Sequence, residues 1–249
     1  MNNVTSTFLE GIISVDAAIR SKKRKIIRVL IDNNKFEKRD RKITRLVSFL
    51  KSENIPFYLY DRDYINSICE SSSHGGVVAE VGEYNFCDPE SIIGDLKDGE
   101  YAVMLDGVED PFNFGYSIRN LYAFGCKAFI IPERNWMSAS NIVSTSSAGS
   151  SEMCDMAISK DDNHLVDIIK KHNIEIVCSA LSNDSIPLYT FKPKKPFILF
   201  IGGEKRGISK NFMENASTVV HIPYENQNAK YSLPTASCAA IFGSYLSSL

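Results

Sequence analysis

From residue 101 onward the chain repeats one pattern: a short apolar run, a loop, then a stretch of helical periodicity. The runs are AVML (102–105), AFIIP (128–132), IEIVCSA (174–180), FILFIGG (197–203) and VVHIP (219–223). Between them, residues 113–125, 138–146 (with a Ser cap), 161–173 and 208–216 read as helices, and a last helix starts near 234. A strand with one wet face would alternate apolar and polar positions. Continuous apolar strands need cover on both faces, and strands separated by helices lie parallel. The pattern predicts an α/β domain with a mainly parallel sheet. Open sheets of this type bind ligands beyond the C-terminal ends of their strands.

The first part of the chain reads differently. IIRVLI (26–31), PFYLY (56–60) and VVAEV (77–81) are β-branched or aromatic runs and predict strands. In residues 38–53, Ile43, Leu46, Val47 and Leu50 recur at helical spacing with Lys and Arg between them. Asp61 is placed to cap a short helix reaching about Glu70. These elements predict a small α/β unit. The polar stretch EYNFCDPESIIGDLKDG (83–99), with Pro89, Gly94 and Gly99, reads as a linker. The expected domains are residues 1–88 and 98–249.

The formal net charge of the 249-residue chain is only −2, but the charge is unevenly spread. From Arg20 to Lys51 there are 13 Lys or Arg against three acids, Asp32, Glu37 and Asp40. Residues 86–249 carry 14 basic and 19 acidic residues. A basic block on one domain is the footprint of a phosphate-backbone contact. Lys22, Lys23, Arg24, Lys25 and Arg41 are the candidates for such a contact. A merely solubilising surface would have the same composition. The six cysteines are scattered, without a CxxC pair, and the four histidines are scattered too. That spacing predicts free thiols in a reducing cytosol and no metal site. With no apolar run of 18 residues and no basic, apolar leader in MNNVTSTFLEGII, neither a membrane helix nor a secretory signal is expected. The expected location is cytoplasmic.

Three clusters at predicted strand ends break the local rules for regular structure. In LDGVEDPFNFGYSIRNLYAFG (105–125), Asn113 is placed to cap a helix and Arg119 to grip a phosphate through its planar fork. A plain strand–turn–helix connection with a surface arginine would read the same way. In FILFIGGEKRGIS (197–209), Gly202 and Gly203 allow close approach to the backbone, and Glu204 follows. The spacing is neither GxGxxG nor a Walker loop. In HIPYENQNAKYSLPTASCAAIFGSYL (221–246), a polar excursion leads to Ser232 and Leu233, then to a helix with small residues from Ala236 to Ser244. Such a face permits close packing against another element or another subunit.

Taken in order, the three clusters resemble the SpoU–TrmH branch of the SPOUT superfamily, the RNA 2′-O-ribose methyltransferases with a deep trefoil knot. Asp110, Pro111, Asn113, Gly115 and Arg119 resemble its D-P-x-N-x-G-x-x-x-R motif. Gly202, Glu204 and Gly207 resemble G-x-E-x-x-G, and Ile222, Pro223, Ser232 and Leu233 resemble I-P…S-L-N. SSAGSSE (146–152) is similar to a further family segment. Residues 1–88 resemble, more loosely, the ribosomal-protein-like substrate-binding domain of many members, which HGGVVAEV (74–81) would close. Pro234 stands where the family usually has asparagine, and Asn226, Gln227 and Asn228 are candidates for that asparagine's task.

The resemblance implies methyl transfer from S-adenosylmethionine to a ribose 2′-hydroxyl of structured RNA. Because such N-terminal domains are typical of rRNA-modifying relatives, rRNA is favoured over tRNA. It implies Gly202, Gly203, Ile222 and Leu233 at the cofactor, and Arg119, Asn113, Glu204 and Ser232 at the reacting ribose. It also implies a homodimer and no metal. The alternatives are a base methyltransferase of the same superfamily and a non-catalytic RNA binder on that scaffold.

Overall fold

The computed structural model of the chain describes residues 7–71, 74–133, 139–226 and 232–249. Its elements begin with β1 (Thr7–Glu10), α1 (Ile12–Ser21), β2 (Ile26–Asp32), α2 (Asn33–Glu37), α3 (Arg41–Ser52), β3 (Phe57–Tyr60), α4 (Arg62–Ile68) and β4 (Val77–Val81). Then come α5 (Pro89–Gly94), β5 (Tyr101–Asp106), α6 (Pro111–Ala123), β6 (Ala128–Pro132), α7 (Ser140–Ser146), α8 (Ser150–Met153) and β7 (Asp155–Ser159). The last are α9 (Asp162–Lys171), β8 (Glu175–Ser179), β9 (Ile186–Pro187), β10 (Phe197–Gly202), α10 (Lys210–Glu214), β11 (Thr218–His221) and α11 (Thr235–Leu246). Two compact units form: Met1–Asn85 with Trp136–Met153, and Phe86–Asn135 with Cys154–Leu249.

The first unit holds a mixed four-stranded sheet in the order β1-β4-β2-β3. β2 runs parallel to β3, while β4 is antiparallel to both β1 and β2. Leu9, Val29, Ile31, Val77 and Ala79 pack against Val15 and Ile19 of α1 and the α3 stripe Ile43, Leu46, Val47 and Leu50. That stripe is the spacing seen in the sequence. α3 starts at Asp40 because its carboxylate accepts the Lys42 and Ile43 amides at 2.9 and 3.2 Å, satisfying donors that a helix start leaves orphaned.

The segment with α7 and α8 packs in this first unit, although the sequence groups it with the second part. Asn141 and Glu10 exchange two hydrogen bonds, Asn141 Nδ2 donating at 2.8 Å and the Glu10 amide donating at 3.1 Å. Gly149 has φ +78°, and a Cβ there would lie 2.7 Å from the Ala17 Cβ. α7 starts at Ala139 without a side-chain cap rather than at a capping serine.

Arg24 is a correction to the expected RNA contacts. It is buried, with Nε 2.8 Å from Glu152 Oε2 and Nη2 donating to Oε1 at 3.1 Å. A cation held in the interior by a carboxylate cannot reach a phosphate. Burial raises the Glu152 pKa above the usual carboxylate value, opposed by Arg24.

The second unit is a seven-stranded sheet in the order β7-β6-β5-β10-β8-β11-β9, with every paired strand parallel. β10 is central and its residues Phe197–Ile201 are buried. Ala102, Met104, Ile130, Ile176, Ile198 and Phe200 pack with Leu165 and Ile169 of α9 and with Phe212 of α10. This matches the mainly parallel α/β sheet expected from the apolar runs. The expected linker at 83–99 contains α5, which has Asp88 before it and Pro89 in its first turn and buries Ile92 and Ile93. Among the described residues no helix is long and apolar enough to cross a membrane.

Candidate active site

β5 and β10 lie side by side in full register, so that Asp106 and Gly202 end together. Beyond them two turns of the chain pass at close range. The Gly203 amide donates to the Asp106 carbonyl at 2.7 Å, and the Ser209 amide donates to Asp106 Oδ2 at 2.6 Å. A Cβ on Gly203 would sit 1.9 Å from the Gly107 carbonyl oxygen, and one on Gly202 would sit 2.5 Å from the Gly207 carbonyl carbon. The paired glycines therefore serve the approach of the chain to itself, where the sequence suggested approach of a ligand.

The turn after β5 leads into α6. Asp110, not Asn113, caps this helix: Asp110 Oδ1 accepts the Asn113 amide at 2.7 Å and Pro111 opens the first turn. Asn113 is thereby released to donate through Nδ2 to Glu204 Oε1 at 2.9 Å. Two sequence clusters 91 positions apart meet in this bond. Gly107, Asp110, Asn113, Glu204, Lys205 and Thr235 line a cleft of about 280 Å³ here. Glu109, also lining it, lies 3.3 Å from Lys205 Nζ and 3.6 Å from Arg206 Nε.

The third cluster closes the site through α11. Pro234 is its N-cap, with φ −53° and ψ 144°, and its carbonyl accepts the Ser237 and Cys238 amides. The next residue, buried Thr235, donates its hydroxyl to the Gly202 carbonyl at 3.3 Å. Asn120 of α6 donates to the Ala236 carbonyl at 3.0 Å. Buried Ala239 and Gly243 face inward, and a Cβ on Gly243 would touch the Phe124 ring at 2.9 Å. Part of the small-residue face thus packs against another element of the chain, while Ala236, Ser237 and Ala240 stay half-buried and Ser244 exposed. Burial raises the Cys238 pKa, so its thiol stays protonated and donates to the Leu233 carbonyl at 3.6 Å.

Gly202, Ile222 and Leu233 are all half-buried and uncharged. The Leu233 amide donates to the Tyr224 hydroxyl at 3.3 Å, tying the two ends of the intervening loop. Half-buried apolar side chains and a glycine backbone are the chemistry that suits a flat heteroaromatic ring whose edge is read by backbone groups. The residues present fit S-adenosylmethionine. Ser232 and Asn226 are exposed, while Gln227 and Asn228 lie outside the described residues.

Arg119 is not brought to the cleft. It is exposed, and six positions along a helix turn it about 120° away from Asn113. It shares one face of α6 with Phe112 and Tyr116, which are 51% and 44% exposed. Asp106, Glu109, Thr235 and Tyr224 were not among the expected site residues. A lone acid ending an apolar strand, and a threonine following a helix-starting proline, were the available signals.

The cations of the first unit also sort themselves. Lys22 lies 3.1 Å from Glu53, Lys23 is half-buried and Lys25 is exposed. Arg41 is exposed and belongs to a corner between α2 and α3 with Lys38, Arg39, Lys42 and Arg45, all exposed. Among the described residues the side chains of these five make no hydrogen bond or ion pair.

A parallel sheet whose strand ends cross under glycine control, with a polar cleft and a half-buried apolar edge there, defines an α/β protein that binds a small ligand at its strand C-termini. The family comparison is more specific. The model of the SpoU rRNA methylase family matches residues 100–243, and that of RNA 2′-O ribose methyltransferase substrate binding matches residues 8–87. The chain belongs to the SpoU rRNA methylase family. It is 27% identical over 241 residues to the 23S rRNA (guanosine-2′-O-)-methyltransferase RlmB of Blochmanniella floridana, covering 95% of this chain and 93% of that protein. The protein of the same name from Yersinia pestis is 24% identical over 239 residues, covering 95% and 96%. In fold the chain is similar to the AdoMet-bound rRNA methyltransferase of Sinorhizobium meliloti, with TM-score 0.78 at 20% identity over 97% of this chain and 86% of that one. It is also similar to AviRb of Streptomyces viridochromogenes in complex with AdoMet, with TM-score 0.79 at 17% identity over 98% and 90%.

Proposed function

We propose that this protein transfers a methyl group from S-adenosylmethionine to a ribose 2′-hydroxyl of ribosomal RNA. The observation that carries the proposal is the Asn113–Glu204 hydrogen bond, which joins two family motifs at the strand-end cleft of a family member. The names of the relatives support a guanosine of 23S rRNA as the target. When bound, S-adenosylmethionine supplies an electrophilic methyl on a sulfonium. Gly202, Gly203, Ile222 and Leu233 hold its adenosine end. Glu204 fixes the Asn113 amide, so that its remaining donor and acceptor are oriented toward the ribose, with Ser232 closing the other side. As the 2′-oxygen bonds to the methyl carbon, the sulfonium–methyl bond breaks to leave a neutral thioether, and the hydroxyl proton passes to solvent water. Arg119 presents a planar guanidinium fork, which stabilises the developing alkoxide and clamps the adjacent phosphate.

Arg119 acts from a helix face that is aromatic and exposed. A homodimer through Phe112 and Tyr116 of α6 covers that face and brings Arg119 to a site completed by two subunits. The crossing of the 203–209 loop past the Gly107 turn supports the knotted threading of the family. RNA is held by Arg41 and its neighbours Lys38, Arg39, Lys42 and Arg45, with Lys22, Lys23 and Lys25 as lesser contributors. The protein acts in the cytoplasm and without metal. Calorimetry on chelator-treated protein tests the proposal: one S-adenosylmethionine binds per chain, and added divalent metal changes nothing. No binding until metal is supplied would contradict it.

A further inference from the structure

The first unit has a second surface, on the sheet face opposite the α1–α3 core. The register pairs Leu30 with Tyr58, Asp32 with Tyr60, and Arg28 with Glu80. Tyr58, Tyr60 and Arg28 therefore share one face, while Val29, Ile31 and Phe57 point to the core. α4 packs on this face beside Asp32, which Arg62 reaches at 3.2 Å. Its Tyr64 stacks on Tyr60 with ring centroids 4.4 Å apart and planes 20° from parallel. Tyr58 remains 51% exposed and Tyr64 39%. Arg28 rims the patch, its Nε 2.6 Å from Glu80. That hydrogen bond chiefly raises the Arg28 pKa, with the Tyr60 and Tyr64 phenols adding to it.

Three tyrosines on a half-covered sheet face beside a guanidinium form a stacking platform. We infer that Tyr58, Tyr60 and Tyr64 bind unpaired nucleotides of the RNA by stacking on their bases. This rests on the RNA reading of the first unit and adds which form of RNA it takes. Bases in a duplex stack on each other and cannot offer their faces to a protein, whereas loops and single strands can. Aromatic stacking accepts any base. The charges here are paired, Arg28 with Glu80 and Arg62 with Asp32. The platform therefore adds base contacts rather than phosphate attraction, which comes from the α2–α3 corner. Stacking and salt dependence separate in the same protein.

The test uses the full chain and two probes, a short oligouridylate and a blunt RNA duplex. Tyr58 and Tyr64 are changed together to Ala, to Phe or to Leu. The alanine and leucine pairs bind the oligouridylate about tenfold or more weakly than wild type, because stacking is lost. The phenylalanine pair binds within about twofold of wild type, because the ring alone suffices. The slope of affinity against salt stays unchanged throughout, and duplex binding is unaffected. Wild-type affinity in the alanine pair, equal binding by leucine and phenylalanine pairs, or an equal loss on the duplex would each overturn the inference. Wild-type protein that binds neither probe would overturn the RNA reading itself, and this inference with it.

Discussion

The two units use opposite means to present function. In the second, the site is made largely by backbone: strand ends in register, turns pressed together where only glycine fits, with the Asn113–Glu204 bond joining two of them. In the first, it is made by surface: exposed cations around α2 and α3, and tyrosines on a half-covered sheet. A site of the first kind fails when one atom is added. A surface of the second kind loses affinity in increments. Two buried polar contacts of the first unit, Arg24–Glu152 and Glu10–Asn141, hold its own parts together.

The largest effect on stability is expected at that ion pair. Glu152→Ala leaves Arg24 buried without a counter-ion, and losing one partner of such a pair costs about 3–5 kcal/mol. Urea unfolding of the variant checks this, and a cost below about 1 kcal/mol would show that Arg24 swings out to water.

Chemistry and affinity should then divide between the units. Arg119→Ala lowers turnover by about 10²–10³-fold, the cost of removing one donor at a developing oxyanion, with RNA affinity near wild type. Neutralising Lys38, Arg39, Arg41 and Lys42 does the reverse. RNA binds more weakly, the salt slope falls by about one for each phosphate that is no longer neutralised, and methylation persists at saturating RNA. Single-turnover kinetics and filter binding at several salt concentrations read both. An unchanged salt slope would reduce the corner to a solubilising surface.

Glycine substitutions sharpen the contrast within one chemistry. Gly203→Ala puts a methyl into the Gly107 carbonyl and costs about 1–3 kcal/mol or more, with loss of cofactor binding. Gly82→Ala in the first unit meets nothing closer than 3.7 Å and is neutral within about 0.5 kcal/mol. Thermal melts of the two variants decide this.

The smallest effect depends on pH. His74 is buried; its Nδ1 accepts the Gly76 amide at 3.1 Å and its Nε2 lies 2.9 Å from Asn66 Oδ1. A ring that accepts at Nδ1 is neutral and donates from Nε2. Burial, and then Arg62, lowers the His74 pKa below 6.5. The contribution is thus fully present above pH 6.5 and is lost as pH falls through the lower folded value. It is worth about 1 kcal/mol. The stability gap between wild type and His74→Gln should shrink on acidification, and a constant gap would contradict the assignment.

Much of the second unit was legible because its strands are apolar throughout and its motifs are local strings. The α3 stripe was legible for the same reason. α5 was hidden by the turn-like DPES start and Gly94, although Ile92 and Ile93 carry it into the core. Arg24 read as surface because charge counts ignore direction, and its partner Glu152 lies 128 positions away. Thr235 and the Asp110 cap depend on which strand end meets which helix start, and no single stretch of sequence contains that information. Pro234 stands where the family usually has asparagine. It caps α11 through its extended backbone while its neighbour Thr235 bonds to Gly202.

The central claim is the ribose as methyl acceptor. It can be tested by incubating ribosomal RNA with the full chain and S-adenosylmethionine labelled on its methyl, then hydrolysing the RNA in alkali. A 2′-O-methyl group blocks cleavage of the adjacent phosphodiester, so the account predicts label in alkali-resistant dinucleotides. Label recovered in mononucleotides, on the base, would contradict it.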